Sequence, residues 1–167
     1  MMCKEAKTIL RSLTLLAIGA RAPDFTLPDQ DGRAVTLLQL LCAGPLILYF
    51  YPADFTAGCT REACQIRDLY PQIETAGVQV AGVSPQSPES HRAFREKYHL
   101  PFTLLADEQC SVADLYGVHG PFGLGVRRAT FLIDSTGVVR NAIRADLRIA
   151  AHARFVRKSL VDTRVDR

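Results

Sequence analysis

Pro45-Leu46-Ile47-Leu48-Tyr49-Phe50-Tyr51-Pro52 is the stretch from which the rest of the chain is read. It is a short apolar and aromatic run without polar alternation, ended by proline, which is the pattern of a buried strand. Downstream, Ala63, Ile66, Leu69, Tyr70 and Ile73 recur at helical spacing within Arg61 to Ala76, and Gly77 closes the segment. Pro71 falls inside that span and predicts a kink or a break. Val78 to Val83 reads as a second buried strand, residues 84–88 as a turn, and Glu89 to Tyr98 as a charged amphipathic helix. Thr103 to Ala106 reads as a third strand, Ser111 to Tyr116 as a short helix, and Gly117 to Gly125 as a glycine-rich loop. Arg128 to Asp134 and Val138 to Ile143 flank the small-residue turn Ser135-Thr136-Gly137 as a hairpin, and Ile149 to Val161 makes a final helix. Strands alternating with helices and followed by a hairpin predict an α/β fold, a mixed central sheet with helices on its faces.

The length of 167 residues fits one domain, and the formal charge of +3 gives no case for nucleic-acid or membrane-surface binding. No apolar run is long enough to span a bilayer. Met1 to Ala20 has the outline of a signal peptide, but Arg11 interrupts its apolar part and a domain opening follows at once at Arg21-Ala22-Pro23. Residues 1–20 are therefore expected to be a tail and residues 21–167 a single domain. Five scattered cysteines, Cys3, Cys42, Cys59, Cys64 and Cys110, do not form a disulfide framework of the secreted kind, so a reducing compartment is expected.

Chemistry concentrates in the loop that leaves the first buried strand, Tyr51-Pro52-Ala53-Asp54-Phe55-Thr56-Ala57-Gly58-Cys59. Loops at the carboxyl ends of strands are where open α/β sheets place their sites. A helix beginning near Cys59 would offer the sulfur unpaired backbone N–H groups and the positive end of its dipole, and both favour a thiolate over a thiol. Thr56 can aim its hydroxyl at the same point, or be an ordinary loop hydroxyl. Pro52 can shield the sulfur from water, or simply terminate the strand.

Taken together, Pro52, Thr56 and Cys59 form P-x-x-x-T-x-x-C, which resembles the active-site signature of the peroxiredoxins. Asp54-Phe55-Thr56, Gly58-Cys59-Thr60 and Glu62-Ala63-Cys64 resemble the bacterioferritin comigratory protein, or Q-type, branch. Residues 22–32, Arg67 to Tyr70, Gly82 to Ser84 and Arg128 to Asp134 resemble further blocks of that branch. Ala57 departs from it, standing where relatives usually carry proline. The resemblance implies a thioredoxin-like fold with an N-terminal β-hairpin extension. It also implies a thiol-dependent peroxidase of antioxidant defence that reduces hydrogen peroxide and organic hydroperoxides through a Cys59 sulfenic acid. It aligns Arg128 with the family's functional arginine. Strand alternation puts Arg128, Thr130 and Leu132 on one face and Arg127 on the other, where a solvated role is preferred. No cofactor or metal is implied. The expected setting is a cytoplasmic monomer, or a weak homodimer, recycled by thioredoxin or a similar dithiol.

The same resemblance makes Cys64 the resolving thiol; Cys42, Cys110 or an external thiol remain alternatives. If both thiols lie on one helix, their Cα atoms sit roughly 8–9 Å apart. A disulfide needs less than about 7 Å, so the first turns must unwind. Glu62 can orient Arg128 or be a solvated acid at the helix start. His91, His99, His119 and His152 lack metal-ligand spacing around the cysteines. Two rival readings are a thioredoxin-type oxidoreductase, which would want C-x-x-C, and a metal-binding or redox-sensing module built on Cys59 and Cys64.

Overall fold

The structure, a computed structural model, describes residues 14–120 and 125–165. The elements run β1 Thr26–Pro28, β2 Ala34–Thr36, α1 Leu37–Cys42, β3 Leu46–Phe50, α2 Ala57–Thr75, β4 Gln79–Ser84, α3 Pro88–Tyr98, β5 Thr103–Ala106, α4 Ser111–Leu115, β6 Ala129–Ile133, β7 Val139–Arg144 and α5 Ile149–Val165. β3 is central because every one of its residues is buried, so its neighbours must cover both faces. The five-stranded sheet has the order β5-β4-β3-β6-β7. β3 and β4 are parallel, as are β4 and β5, whereas β6 runs antiparallel to both β3 and β7. β1 and β2 form a separate antiparallel hairpin. This is the mixed sheet and N-terminal hairpin expected from the sequence.

Alternation along the strands divides the core in two. Leu46, Leu48, Phe50, Phe131 and Ile133 face one layer, closed by Leu27, Leu37, Leu41 and Tyr116. Ile47, Tyr49, Tyr51 and Leu132 face the other, closed by α2 (Ile66, Leu69, Ile73), α3 (Phe94) and α5 (Phe155, Val156, Leu160). Cys59 belongs to this second layer. Gly82 makes room in it for Tyr49, since a Cβ there would lie 2.7 Å from the Tyr49 hydroxyl.

Three sequence expectations need correction or extension. α2 is not broken at Pro71; it runs on to Thr75. Proline forfeits one helical hydrogen bond, and burial of Leu69 and Ile73 against the sheet outweighs that loss. Leu37–Cys42 is a helix the sequence reading left out, opened by a capping box in which the Gln39 N–H donates to Thr36 Oγ1 and the Thr36 N–H to Gln39 Oε1. Residues 14–20 lie on the domain rather than trailing from it. Leu16 N–H donates to the Tyr116 carbonyl at 3.1 Å, Gly19 N–H to the Val139 carbonyl at 2.8 Å, and Leu15 and Leu16 pack on the core. Cys3 and loop residues 121–124 lie outside the described residues. Among the described residues, no helix is long and apolar enough to cross a membrane.

Candidate active site

Cys59 is the third residue of α2, which follows β3 after the loop of residues 51–56. The first helical hydrogen bond runs from the Thr60 N–H to the Thr56 carbonyl at 2.9 Å, so the N–H groups of residues 57–59 precede the helical ladder and face the loop. Cys59 is only 2% exposed. Arg128, the residue before β6, reaches it from across the sheet: Nη2 donates to Cys59 Sγ at 3.3 Å. Strand alternation puts Arg128, Thr130 and Leu132 on the layer that holds α2, and the side chains point there.

The guanidinium is fixed on its other sides. Nη1 donates to Glu62 Oε2, and Nε to the Asp146 carbonyl at 3.4 Å. Glu62 lies one helical turn beyond Cys59 and is 1% exposed, so it is the buried partner of Arg128 and not a solvated acid. Burial pushes the Glu62 carboxyl up to about 7, against the opposing pull of Arg128. Burial alone would lower the basicity of Arg128, but Glu62 and Cys59 more than offset this and hold it above its ordinary value. Arg127, expected to be solvated, keeps its side chain partly exposed and pairs with Asp146: its Nε donates to Oδ2 at 3.0 Å, while Oδ1 accepts the Arg128 N–H at 3.0 Å.

Thr56 and Pro52 sit at the exposed mouth. Thr56 is the N-cap residue of α2, but its hydroxyl donates to the Ala53 carbonyl at 3.2 Å rather than to the helix or the sulfur. A Cβ at Gly58 would come within 3.2 Å of both Arg128 Nη2 and Ile149 Cδ1, so a larger residue there would press on the guanidinium. Phe55 adopts a left-handed φ of 61°, held by ring contacts to Phe94 and Tyr98 and by Lys97 over its face. Beneath it, Asp54 is buried and accepts from the Tyr51 hydroxyl at 2.7 Å, the Ser90 hydroxyl at 2.7 Å and His91 Nδ1 at 2.8 Å. Loop and α3 are thereby tied together. The sequence reading missed Asp146, Ser90, His91, Thr130 and His152 as neighbours of the site. The i to i+3 spacing of Cys59 and Glu62 was the available signal for Glu62.

Cys64 lies on the same unbroken helix as Cys59 and is half-buried. Cys42 is exposed at the end of α1, and Cys110 caps α4.

The arrangement sets a buried sulfur beside a fixed guanidinium at a helix N-terminus. Comparison with known proteins points the same way. The sequence pattern of the AhpC/TSA family matches residues 18–142. The Coxiella burnetii protein that carries the name peroxiredoxin bcp is 43% identical over 143 residues, covering 82% of this chain and 93% of its own. A chloroplastic peroxiredoxin Q of Oryza sativa subsp. japonica is 48% identical over 73% of this chain, which spans just over half, 56%, of that protein. Among solved structures, peroxidoxin BcpB of Mycobacterium tuberculosis superposes with a TM-score of 0.81 at 37% identity, covering 90% of this chain and 97% of that one. The Xanthomonas campestris bacterioferritin comigratory protein, whose structures concern alkyl peroxide reduction, superposes at 0.76 with 32% identity over 83% and 90% of the two chains.

Proposed function

We propose, from the premise that this chain belongs to the AhpC/TSA family and is a thiol-dependent peroxidase, that Cys59 Sγ is the atom that attacks the peroxide. The observation that carries the reading is the 3.3 Å approach of Arg128 Nη2 to a sulfur at the N-terminus of α2. The thiolate attacks the terminal oxygen of a hydroperoxide, an S–O bond forms and the O–O bond breaks. Sulfur is oxidised by two electrons, and the leaving oxygen takes a proton to depart as water or an alcohol. Arg128 and the N–H groups of the first turn stabilise charge spread over both oxygens. Thr56 exchanges its Ala53 carbonyl for the incoming peroxide, and Pro52 screens the mouth. The exposed Phe55 ring and the half-buried Ile149 give this rim an apolar character suited to organic hydroperoxides as well as hydrogen peroxide.

Cys64 then condenses with the sulfenic acid, releasing water and forming an intramolecular disulfide. The helical separation of the two Cα atoms, roughly 8–9 Å, must first shrink, so the start of α2 unwinds in each cycle. A dithiol of thioredoxin type restores both thiols by exchange. With both thiols on one helix, the cycle closes within a monomer, in the reducing cytoplasm.

The test is a mass measurement after one equivalent of peroxide, with peptide mapping. The expected product is a Cys59–Cys64 disulfide that thioredoxin reduces. Cys59→Ser should abolish peroxide consumption, and Cys64→Ser should leave the sulfenic acid trapped. Peroxide turnover surviving in Cys59→Ser would overturn the reading, and a disulfide to Cys42 or Cys110 would reassign the resolving thiol.

A further inference from the structure

Behind Arg128 lies a buried histidine that the peroxidase reading does not use. His152 of α5 is 0% exposed. Its Nε2 lies 3.0 Å from the Ala145 carbonyl, which can only accept, so Nε2 carries a proton. Its Nδ1 meets the Thr130 hydroxyl at 2.8 Å and faces Glu62 Oε1 at 3.5 Å. Glu62 Oε1 is otherwise a buried carboxyl oxygen without a hydrogen-bond partner, while Oε2 is occupied by Arg128. When Glu62 is ionised and His152 neutral, Nδ1 accepts from the Thr130 hydroxyl and no proton lies between it and Oε1; a proton added to this buried pair sits on Oε1, or on Nδ1 with the Thr130 hydroxyl turned to accept from it.

We propose that Glu62 and His152 share a single proton behind Arg128, and that its presence or absence sets the net charge that Arg128 presents to the Cys59 thiolate. His152 is a positioning residue, since it meets neither sulfur nor peroxide. The inference rests on Cys59 being the attacking sulfur. With the proton present, on either atom, the Glu62–His152 pair is neutral and Arg128 stands as a full cation opposite the sulfur. Without it, the Glu62 carboxylate cancels the Arg128 charge, and the negative charge developing on the peroxide oxygens is stabilised less. The charged and titratable groups facing the pair are Cys59 from α2, Tyr49 from β3, Arg128 ahead of β6, and Asp146 from the loop before α5. Burial disfavours the charged form of both partners, raising Glu62 and lowering His152. One proton shared between two otherwise costly charges is the arrangement that reconciles the two.

Glutamine at position 62 would copy the neutral, protonated carboxyl, its carbonyl accepting from Arg128.

The experiment measures the second-order rate constant for peroxide against pH in the wild-type protein, Glu62→Gln and His152→Gln, with Cys59→Ser as control. It is paired with infrared spectra of the reduced proteins across the same range, with the glutamate carboxyl isotopically labelled. The wild type should lose rate several-fold as pH rises through a step near neutrality. A protonated-carboxyl band or a histidinium band, whichever atom holds the proton, should disappear over the same step. Glu62→Gln should lack the step in both measurements, and His152→Gln should displace it. The same step persisting in Glu62→Gln, or wild-type infrared spectra that do not change across it, would overturn the proposal. Should His152→Gln fail to fold, the wild-type spectra and Glu62→Gln still decide. Peroxidase activity surviving in Cys59→Ser would instead overturn the assignment of the sulfur.

Discussion

Two buried carboxylates stand on either side of the candidate sulfur and are treated by the fold in opposite ways. Asp54, in the loop before α2, accepts from Tyr51 of the same loop and from Ser90 and His91 of α3, which packs beneath it. Glu62, in the second turn of α2, has one oxygen held by Arg128 and the other facing His152 without a hydrogen bond. A saturated buried carboxylate is a clamp, because moving it would strand several donors at once. A half-satisfied one keeps a site where a proton can come and go. The first holds the geometry of the loop and the second tunes the charge of the site.

The largest effect expected from breaking this contrast is that of Arg128→Met. It removes the cation beside the sulfur and strands Glu62, so the peroxide rate constant should fall by about 100-fold or more. Chemical denaturation near pH 8 should show a loss of roughly 3–5 kcal/mol from the uncompensated buried charge. That loss should shrink on acidification, as Glu62 takes up a proton. Next comes Glu62→Gln, read as a difference in stability from the wild type. The carboxyl is raised from 4.5 to about 7 by burial, so the folded wild type binds its proton more tightly than the unfolded chain does. Its contribution is therefore fully present below pH 4.5 and is lost as pH rises through about 7. Glutamine does not titrate, so the balance should swing toward the variant by roughly 3 kcal/mol across that window in paired urea titrations.

Asp54→Asn probes the clamp. An amide in place of one oxygen points a donor at donors already present, and the cost should be roughly 2–3 kcal/mol. Hydrogen exchange should quicken in residues 52–58 and at the start of α3, with no new pH dependence in the peroxide rate. A step near neutrality like that expected for Glu62 would erase the distinction between the two carboxylates. The smallest effect belongs to Arg127→Ala. Its ion pair with Asp146 is partly exposed, with 37% of each side chain accessible. Loss of the pair should cost less than about 1 kcal/mol and leave the rate constant nearly unchanged, because Asp146 is still held by the Arg128 backbone.

How far these features were legible in the sequence depends on the range of the interaction. The order of strands and helices could be read because each depends on periodicity within a short window: Leu46 to Phe50 for β3, Ala63 to Ile73 for α2. The capping box of Thr36 and Gln39 was equally local, and was present to be read. Of the kink or break that Pro71 suggested, the fold overturned the break: its local cost is real, yet α2 runs on, with Leu69 and Ile73 buried on either side of it.

By itself the chain of residues determined the alternation of elements, the spacing of Pro52, Thr56 and Cys59, and the face on which Arg128 must lie. Those depend on backbone periodicity and on neighbours a few positions apart. Only the tertiary structure decided that Glu62 is buried, that His91 belongs to Asp54 and His152 to Glu62, and that residues 14–20 are part of the domain. Each of these is a pairing between groups far apart in the chain. The electrostatics follow from water being excluded between them, and no local pattern of residue types encodes that exclusion.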